Sequence, residues 1–241
     1  MIRLTKSEDI YEVSKILIDS FEIDNIDEIL VMIEPFENMF VYELNGKIVS
    51  VASAIPFNVR NKKGRYIYAV ATDFNHRGKG YAGEVLNYIK EYYRNCADVL
   101  LLRPAEESLF DYYRKNGFND EIYADIKEIQ FSGTEMPERI EFTEYVEERK
   151  KYNSFSFSEK VMSYYFNYYD YSAFRGKDYF LLCRASQDCC VLDEVYGNFE
   201  KADMSVFENK KMLGVVNGRS VYALAYFYNE KFEINFRIPM E

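Results

Sequence analysis

The stretch Val70-Ala71-Thr72-Asp73-Phe74-Asn75-His76-Arg77-Gly78-Lys79-Gly80-Tyr81-Ala82-Gly83 decides the reading of this chain. It predicts a strand, then a short basic glycine-rich loop, then the first turn of a helix. Upstream, Tyr66-Ile67-Tyr68-Ala69-Val70 is aromatic and β-branched, as strands prefer. Downstream, Ala82, Val85, Leu86, Ile89 and Tyr93 recur at helical spacing and define one apolar face. A glycine-rich turn that opens a helix lets backbone N–H groups approach an anion, and the helix dipole favours negative charge there. Arg77 and Lys79 add positive charge to a chain whose net charge is −10. The loop is expected to hold a phosphate.

Spacing narrows the kind of phosphate. The P-loop pattern G-x-x-x-x-G-K-[ST] is absent, because no Ser or Thr follows Lys79 and the glycines stand too close together. Gly78-x-Gly80-x-x-Gly83 matches the dinucleotide pattern formally. Against that reading, an arginine precedes the first glycine and no acidic residue ends a second strand about twenty positions on. Asp98, the nearest acidic candidate, precedes the next strand.

Arg77-Gly78-Lys79-Gly80-Tyr81-Ala82 resembles the R/Q-x-x-G-x-G/A motif of the GNAT family of N-acetyltransferases. Val99-Leu100-Leu101-Leu102-Arg103-Pro104 resembles the buried parallel strand that follows the motif helix in that family. Ser108 to Phe118 resembles the family's next helix with its tyrosine-x-x-x-Gly-Phe ending. The resemblance covers residues 1–130 and implies an α/β fold, a mixed α+β sheet with helices on its faces. It also implies binding of acetyl-CoA and transfer of its acetyl group to a primary amine by direct attack in a ternary complex. The backbone of Gly78, Lys79, Gly80, Tyr81, Ala82 and Gly83, with Arg77 beside it, is then the pyrophosphate cradle. Val70, Ala71 and Thr72 pair with the pantetheine arm, and Tyr113 donates a proton to the departing thiolate. A phenol, with a pKa of about 10, is matched well enough to a thiol of about 8.5 for that task. Tyr112 is expected to point elsewhere, about 100° around the helix.

Departures from the family pattern point to a subgroup. Pro104-Ala105-Glu106-Glu107 stands where an asparagine is usual, and Phe74 replaces a common proline. The Leu-x-Pro-Ala form at Leu102 to Ala105 is similar to the subgroup of the enhanced intracellular survival acetyltransferases. In that subgroup the terminal carboxylate can act as a base, which makes Glu241 a candidate. No general base is otherwise named by the sequence; His76 reads as an exposed loop histidine, and Glu34 and Glu37 as solvated helix-end residues.

Composition excludes more than it selects. A hydrophobic content of 48% and a charged content of 29% suit a globular domain with ample core. The acidic balance argues against a phosphate backbone as partner. No stretch approaches the roughly 20 apolar residues of a membrane span, and Met1 to Thr5 leads straight into a strand-like start, so a cytoplasmic location is expected. Cys96, Cys183, Cys189 and Cys190 lack metal-ligand spacing and the chain has one histidine, so no metal is expected.

Along the chain, strands are expected at Ile2 to Thr5, Met39 to Leu44, Lys47 to Ile55, Arg65 to Thr72, Val99 to Leu102 and Phe118 to Ile129. Asn45-Gly46 is a hairpin signal. Helices are expected after Ser7, over Asp24 to Ile33, over the loop's downstream stretch and from Leu109. Ser132 to Pro137 marks a boundary to a smaller α+β domain over 131–241, which reads as a degenerate acetyltransferase-like half contributing to the acceptor site. There Phe142 to Tyr152 is a charged helix with Tyr145, Val146 and Tyr152 as its apolar members. Ser158 caps a second helix with Val161, Tyr164, Tyr165 and Tyr168 on one face. Strands follow at Tyr179 to Arg184 and Cys189 to Val195. Met212 to Val216 and Val221 to Phe227 are expected to form a hairpin at Asn217-Gly218, and Phe232 to Ile238 a last strand. Two functions stay open: an acetyl-CoA-dependent N-acetyltransferase acting on a small-molecule or peptide amine, and a non-catalytic acyl-CoA-binding regulatory module.

Overall fold

The computed structural model describes residues 1–22, 38–152, 155–186, 188–207 and 210–234. The expected helix over Asp24 to Ile33, together with Glu34, Glu37 and Glu241, lies outside them. The described residues pack as two units, one within Met1–Glu121 with Ala223–Phe232, the other within Ile122–Tyr222 with residues 233–234. A short late segment, Ala223–Phe232, thus belongs to the first unit.

In the first unit, β1 (Ile2–Leu4) is followed by a 3-10 turn at Ser7–Asp9 and by α1 (Ile10–Phe21). Then come β2 (Met39–Leu44), β3 (Lys47–Val59), β4 (Lys62–Thr72), α2 (Tyr81–Tyr93), β5 (Val99–Leu102) and α3 (Leu109–Lys115). Neighbours β1 to β4 pair antiparallel, and β4 pairs parallel with β5. Residues 224–227 pair antiparallel with the other side of β5. All four residues of β5 are buried, as an apolar run flanked on both edges and covered on both faces requires. The turn between β2 and β3 falls on Asn45 and Gly46, both at positive φ (52° and 77°), the geometry of a tight hairpin.

The pairing of β3 with β4 has one irregularity. Val51 pairs with Ala71 and Ser53 with Tyr68, so Ala52 of β3 faces two residues of β4. Ala69 takes φ 52° there, making a β-bulge that re-aims the strand end. The parallel register with β5 runs only from Gly64 to Tyr66. The end of β4 beyond Tyr66 is thereby released from β5.

The second unit contains β6 (Asp120–Glu128), β7 (Glu138–Ile140), α4 (Phe142–Lys150), β8 (Phe155–Phe157), α5 (Glu159–Tyr168), β9 (Ser172–Arg175), β10 (Tyr179–Ala185), β11 (Cys189–Gly197) and most of β12 (Lys211–Phe227). Here β7, β9, β10 and β11 pair antiparallel in turn, and β11 pairs parallel with β12. That is the pairing order of β1 through β5. The crossover differs: two 3-10 turns, Phe199–Lys201 and Ser205–Phe207, stand where the first unit has its glycine loop and a 13-residue helix. Cys183 and Cys190 are buried among Leu181, Leu192 and Met212 in this unit's core.

Three expectations for this half are corrected. Asn217-Gly218 is no hairpin turn, since β12 runs unbroken through it. Gly218 serves close approach: a Cβ there would stand 2.2 Å from Asp125 Cγ, whose Oδ1 accepts from the N–H groups of Arg219 and Ser220 at 3.2 and 3.0 Å. Helix α4 buries Tyr145 with Glu148 and Arg149, not with Val146 and Tyr152, because Arg149 pairs with Glu194 of β11 at 2.7 Å. Helix α5 is capped by Ser158 as expected, but buries Val161, Met162 and Tyr165 and leaves Tyr168 46% exposed.

Candidate functional site

The loop after β4 is organised by Asp73. Its Oδ1 accepts from Asn75 N at 3.0 Å and meets His76 Nδ1 at 2.6 Å, closing a 3-10 turn over Phe74–His76. The histidine is therefore a partly covered partner of Asp73, not a free loop side chain; it holds the Asp73 carboxyl below its ordinary range. Arg77 bends back over the loop, its Nε donating to Thr72 O at 3.1 Å and its Nη2 to Ser20 at 3.3 Å. Lys79 Nζ donates to Asn75 O at 3.1 Å. Both cations brace the loop.

Gly78 and Gly80 adopt left-handed φ values of 75° and 86°. An added Cβ at either would meet no atom within 4 Å, so backbone conformation and not crowding calls for glycine. Gly80 is the N-cap of α2, and among the described residues no side chain caps that end. A 13-residue helix thus starts with first-turn N–H groups that take no side-chain cap from a described residue, at the positive end of its dipole. Such an end can hold an anion, and the two glycines leave room beside it.

Gly83 has a different role. A Cβ there would lie 2.8 Å from Asn116 Oδ1, so its bareness lets the end of α3 abut the first turn of α2. The Tyr113-x-x-x-Gly117-Phe118 spacing has a physical cause here. Phe118 N donates to Tyr113 O at 3.1 Å and Gly117 N to Arg114 O at 2.9 Å, while Gly117 takes φ 88°. This is a Schellman cap, completed by ring contact between Tyr113 and Phe118 at 6.3 Å. Tyr113 is therefore registered by backbone and ring together.

Tyr113 is buried, and its hydroxyl makes no hydrogen bond to a described residue. Burial, with the neighbouring Tyr112, pushes its pKa well above the usual phenol value, so the proton stays on. The Tyr112 hydroxyl is sealed from solvent without a hydrogen-bond partner among the described residues. The rings of Tyr112 and Tyr113 meet edge to face with centroids 5.2 Å apart, and burial raises the pKa of both phenols.

At the strand, Ser50 Oγ donates to Ala71 O at 2.9 Å and lies 2.9 Å from Thr72 Oγ1. Ser50 was not singled out from sequence, although a serine in the apolar run Val49-Ser50-Val51-Ala52 was a readable signal. Asn116 and Ser20 were missed because their roles depend on contacts distant in sequence. The structure brings Gly83 together with the α3 cap that carries Tyr113, and joins Arg77 and Thr72 directly. Among the described residues, no group of three or more His, Cys, Asp or Glu could hold a metal ion. No helix there is long and apolar enough to cross a membrane.

Comparison with known proteins bears on the fold and on the first unit. Residues 1–120 match the family model described as acetyltransferase (GNAT) domain. No curated protein matches the sequence. Among solved structures, a GCN5-related N-acetyltransferase from Anabaena variabilis superposes with a TM-score of 0.72 at 14% identity, over 95% of this chain and 73% of that one. One from Kribbella flavida gives 0.69 at 10% identity, over 95% and 72%. Eis1 from Mycobacterium abscessus gives 0.65 at 9% identity, over 95% and 74%. At these identities the likeness is one of fold. Residues 1–120 are thus similar to a GNAT acetyltransferase domain, within a mixed α/β chain.

Proposed function

We propose that this chain is an acetyl-CoA-dependent N-acetyltransferase that acetylates a primary amine by direct attack within a ternary complex. The observation that carries the reading is the uncapped start of α2 behind two left-handed glycines, abutted at Gly83 by the cap that registers Tyr113. In this reading the N–H groups of Gly78 through Gly83 hold the pyrophosphate, with Arg77 and Lys79 keeping the loop in shape. Val70, Ala71 and Thr72, at the bulged strand end released from β5, pair with the pantetheine arm. The amine nitrogen attacks the thioester carbonyl carbon, the tetrahedral intermediate collapses and the C–S bond breaks. Tyr113 gives its hydroxyl proton to the leaving sulfur and is restored by the proton that the amine loses, leaving an amide, the free thiol and a neutral phenol. Burial widens the gap between this phenol and the thiol beyond that of the free groups, so the hydroxyl stays protonated and acts as a hydrogen-bond donor until charge develops on the departing sulfur. The second unit, with the pairing order of the first and no glycine cradle, is read as a degenerate copy without a donor site. Within the family, the subgroup of the enhanced intracellular survival acetyltransferases is the nearest assignment, on the Leu-x-Pro-Ala form.

The test is release of CoA thiol from acetyl-CoA by the purified chain over polyamines, aminoglycosides, amino acids and peptides. Amine-dependent release supports transfer. Tight acetyl-CoA binding with no release from any amine favours the non-catalytic binding module.

A further inference from the structure

Lys90, in the third turn of α2, is a half-buried ammonium that makes no ion pair with a described carboxylate. Its Nζ donates instead to Asn116 O at 2.7 Å and stands 5.4 Å from the centre of the Tyr226 ring. A Cβ on Gly117 would come within 3.2 Å of the same nitrogen. On the other side, Tyr228 Oη donates to the Lys90 carbonyl at 2.8 Å, fixing this turn of the helix.

The acceptor of that ammonium is the residue on which α3 ends. Asn116 N donates to Tyr113 O at 3.0 Å and its Nδ2 to Tyr112 O at 2.9 Å, while its Oδ1 packs on Gly83. Lys90 and Gly83 therefore grip one cap residue from two turns of α2. A cation at a helix C-terminus also complements the exposed carbonyls and the negative end of the dipole. Desolvating an ammonium for one carbonyl would gain little unless holding that carbonyl in place matters.

We propose that Lys90 is a positioning residue for acetyl transfer: by holding the Asn116 carbonyl, it fixes the α3 cap that sets where the Tyr113 hydroxyl stands relative to the donor helix. It touches neither substrate nor reacting atoms. This rests on the transferase reading above, and its test separates the two.

Lys90→Met keeps most of the apolar stem and removes both charge and donor. Amide hydrogen exchange of the full chain should show faster exchange at Gly117 and Phe118, by about tenfold or more, with α2 unchanged. Acetyl-CoA affinity should stay within about twofold of wild type while kcat falls about tenfold, an effect on turnover and not on donor binding. In the Tyr113→Phe variant, adding Lys90→Met should leave kcat within about twofold, because the two residues act through one hydroxyl. Unchanged exchange at the cap overturns the proposal whether or not the chain is an enzyme. Faster exchange with unchanged kcat, or an equal loss of kcat in the Tyr113→Phe variant, overturns it as well. A wild-type chain inactive on every amine overturns the transferase reading and the catalytic half of this proposal with it; the exchange result then still decides whether Lys90 holds the cap.

Discussion

Gly46 and Gly80 form a matched pair that separates folding from donor binding. Both hold left-handed backbone, at φ 77° and 86°, and at both an added Cβ would meet nothing within 4 Å. With no clash at either place, an alanine costs only the left-handed conformation, about 1–2 kcal/mol. For a chain of this size that corresponds to a fall in melting temperature of about 2–8 °C, similar for Gly46→Ala and Gly80→Ala. Their surroundings differ: Gly46 turns a hairpin, whereas Gly80 caps α2 where the pyrophosphate is proposed to sit. Relaxing Gly80 toward a right-handed conformation turns the N–H groups of the cradle away. Hydrogen bonds to a charged group are worth about 1.5–3 kcal/mol each. Losing two would weaken acetyl-CoA binding by about 10²- to 10⁴-fold. The assay is thermal unfolding without ligand, paired with isothermal titration by acetyl-CoA. Equal stability losses with an affinity loss confined to Gly80→Ala are expected. If Gly80→Ala binds acetyl-CoA within about threefold of wild type, or Gly46→Ala loses affinity equally, the cradle is wrongly placed.

Further expectations follow from other groups. Tyr113→Phe should lower turnover by about 10²-fold or more with acetyl-CoA affinity nearly unchanged, read by thiol release and titration calorimetry; undiminished turnover would remove Tyr113 from the mechanism. Hydrogen bonds from Ser220 and Arg219 hold the Asp125 carboxyl at about 2 against an ordinary 3.8. A depressed native value means its contribution is full above about pH 4 and disappears as the pH falls toward about 2. Thermal unfolding should therefore show wild type and Asp125→Asn differing by a constant amount from pH 5 to 8 and converging below about pH 4; a difference growing toward acid would contradict this. Arg149→Met leaves the buried Glu194 carboxylate without its guanidinium and should cost about 3–5 kcal/mol in urea unfolding. Changing Glu194→Leu as well should restore most of that, and a single-variant cost under about 1 kcal/mol would refute the pairing's importance.

Local chemistry was legible where it acted over short range. The Asn45-Gly46 turn, the all-apolar β5, the Ser158 cap and the glycine loop each depend on neighbours in sequence, and each is found in place. The tyrosine-x-x-x-Gly-Phe spacing was recognised by resemblance, and its cause became visible as a Schellman cap. Long-range demands were not legible. Gly218 resembles a turn glycine until Asp125, far upstream, is seen against it. The charged face of α4 points inward for Glu194, 45 residues away. Lys90 resembles any helix-surface lysine, since nothing near it in sequence announces the Asn116 carbonyl. The pairing order that the second unit shares with the first is likewise a property of register, not of residue type.

The central claim is that one loop and one tyrosine form the two ends of an acetyl-CoA site. A crystal structure with acetyl-CoA bound measures this directly, through the distances from pyrophosphate oxygens to the loop amides and from the thioester sulfur to Tyr113 Oη. The account predicts pyrophosphate oxygens about 3 Å from N–H groups between Gly78 and Gly83, and the sulfur within about 4 Å of the hydroxyl. A pyrophosphate bound away from the start of α2, or a sulfur out of reach of Tyr113, would contradict it.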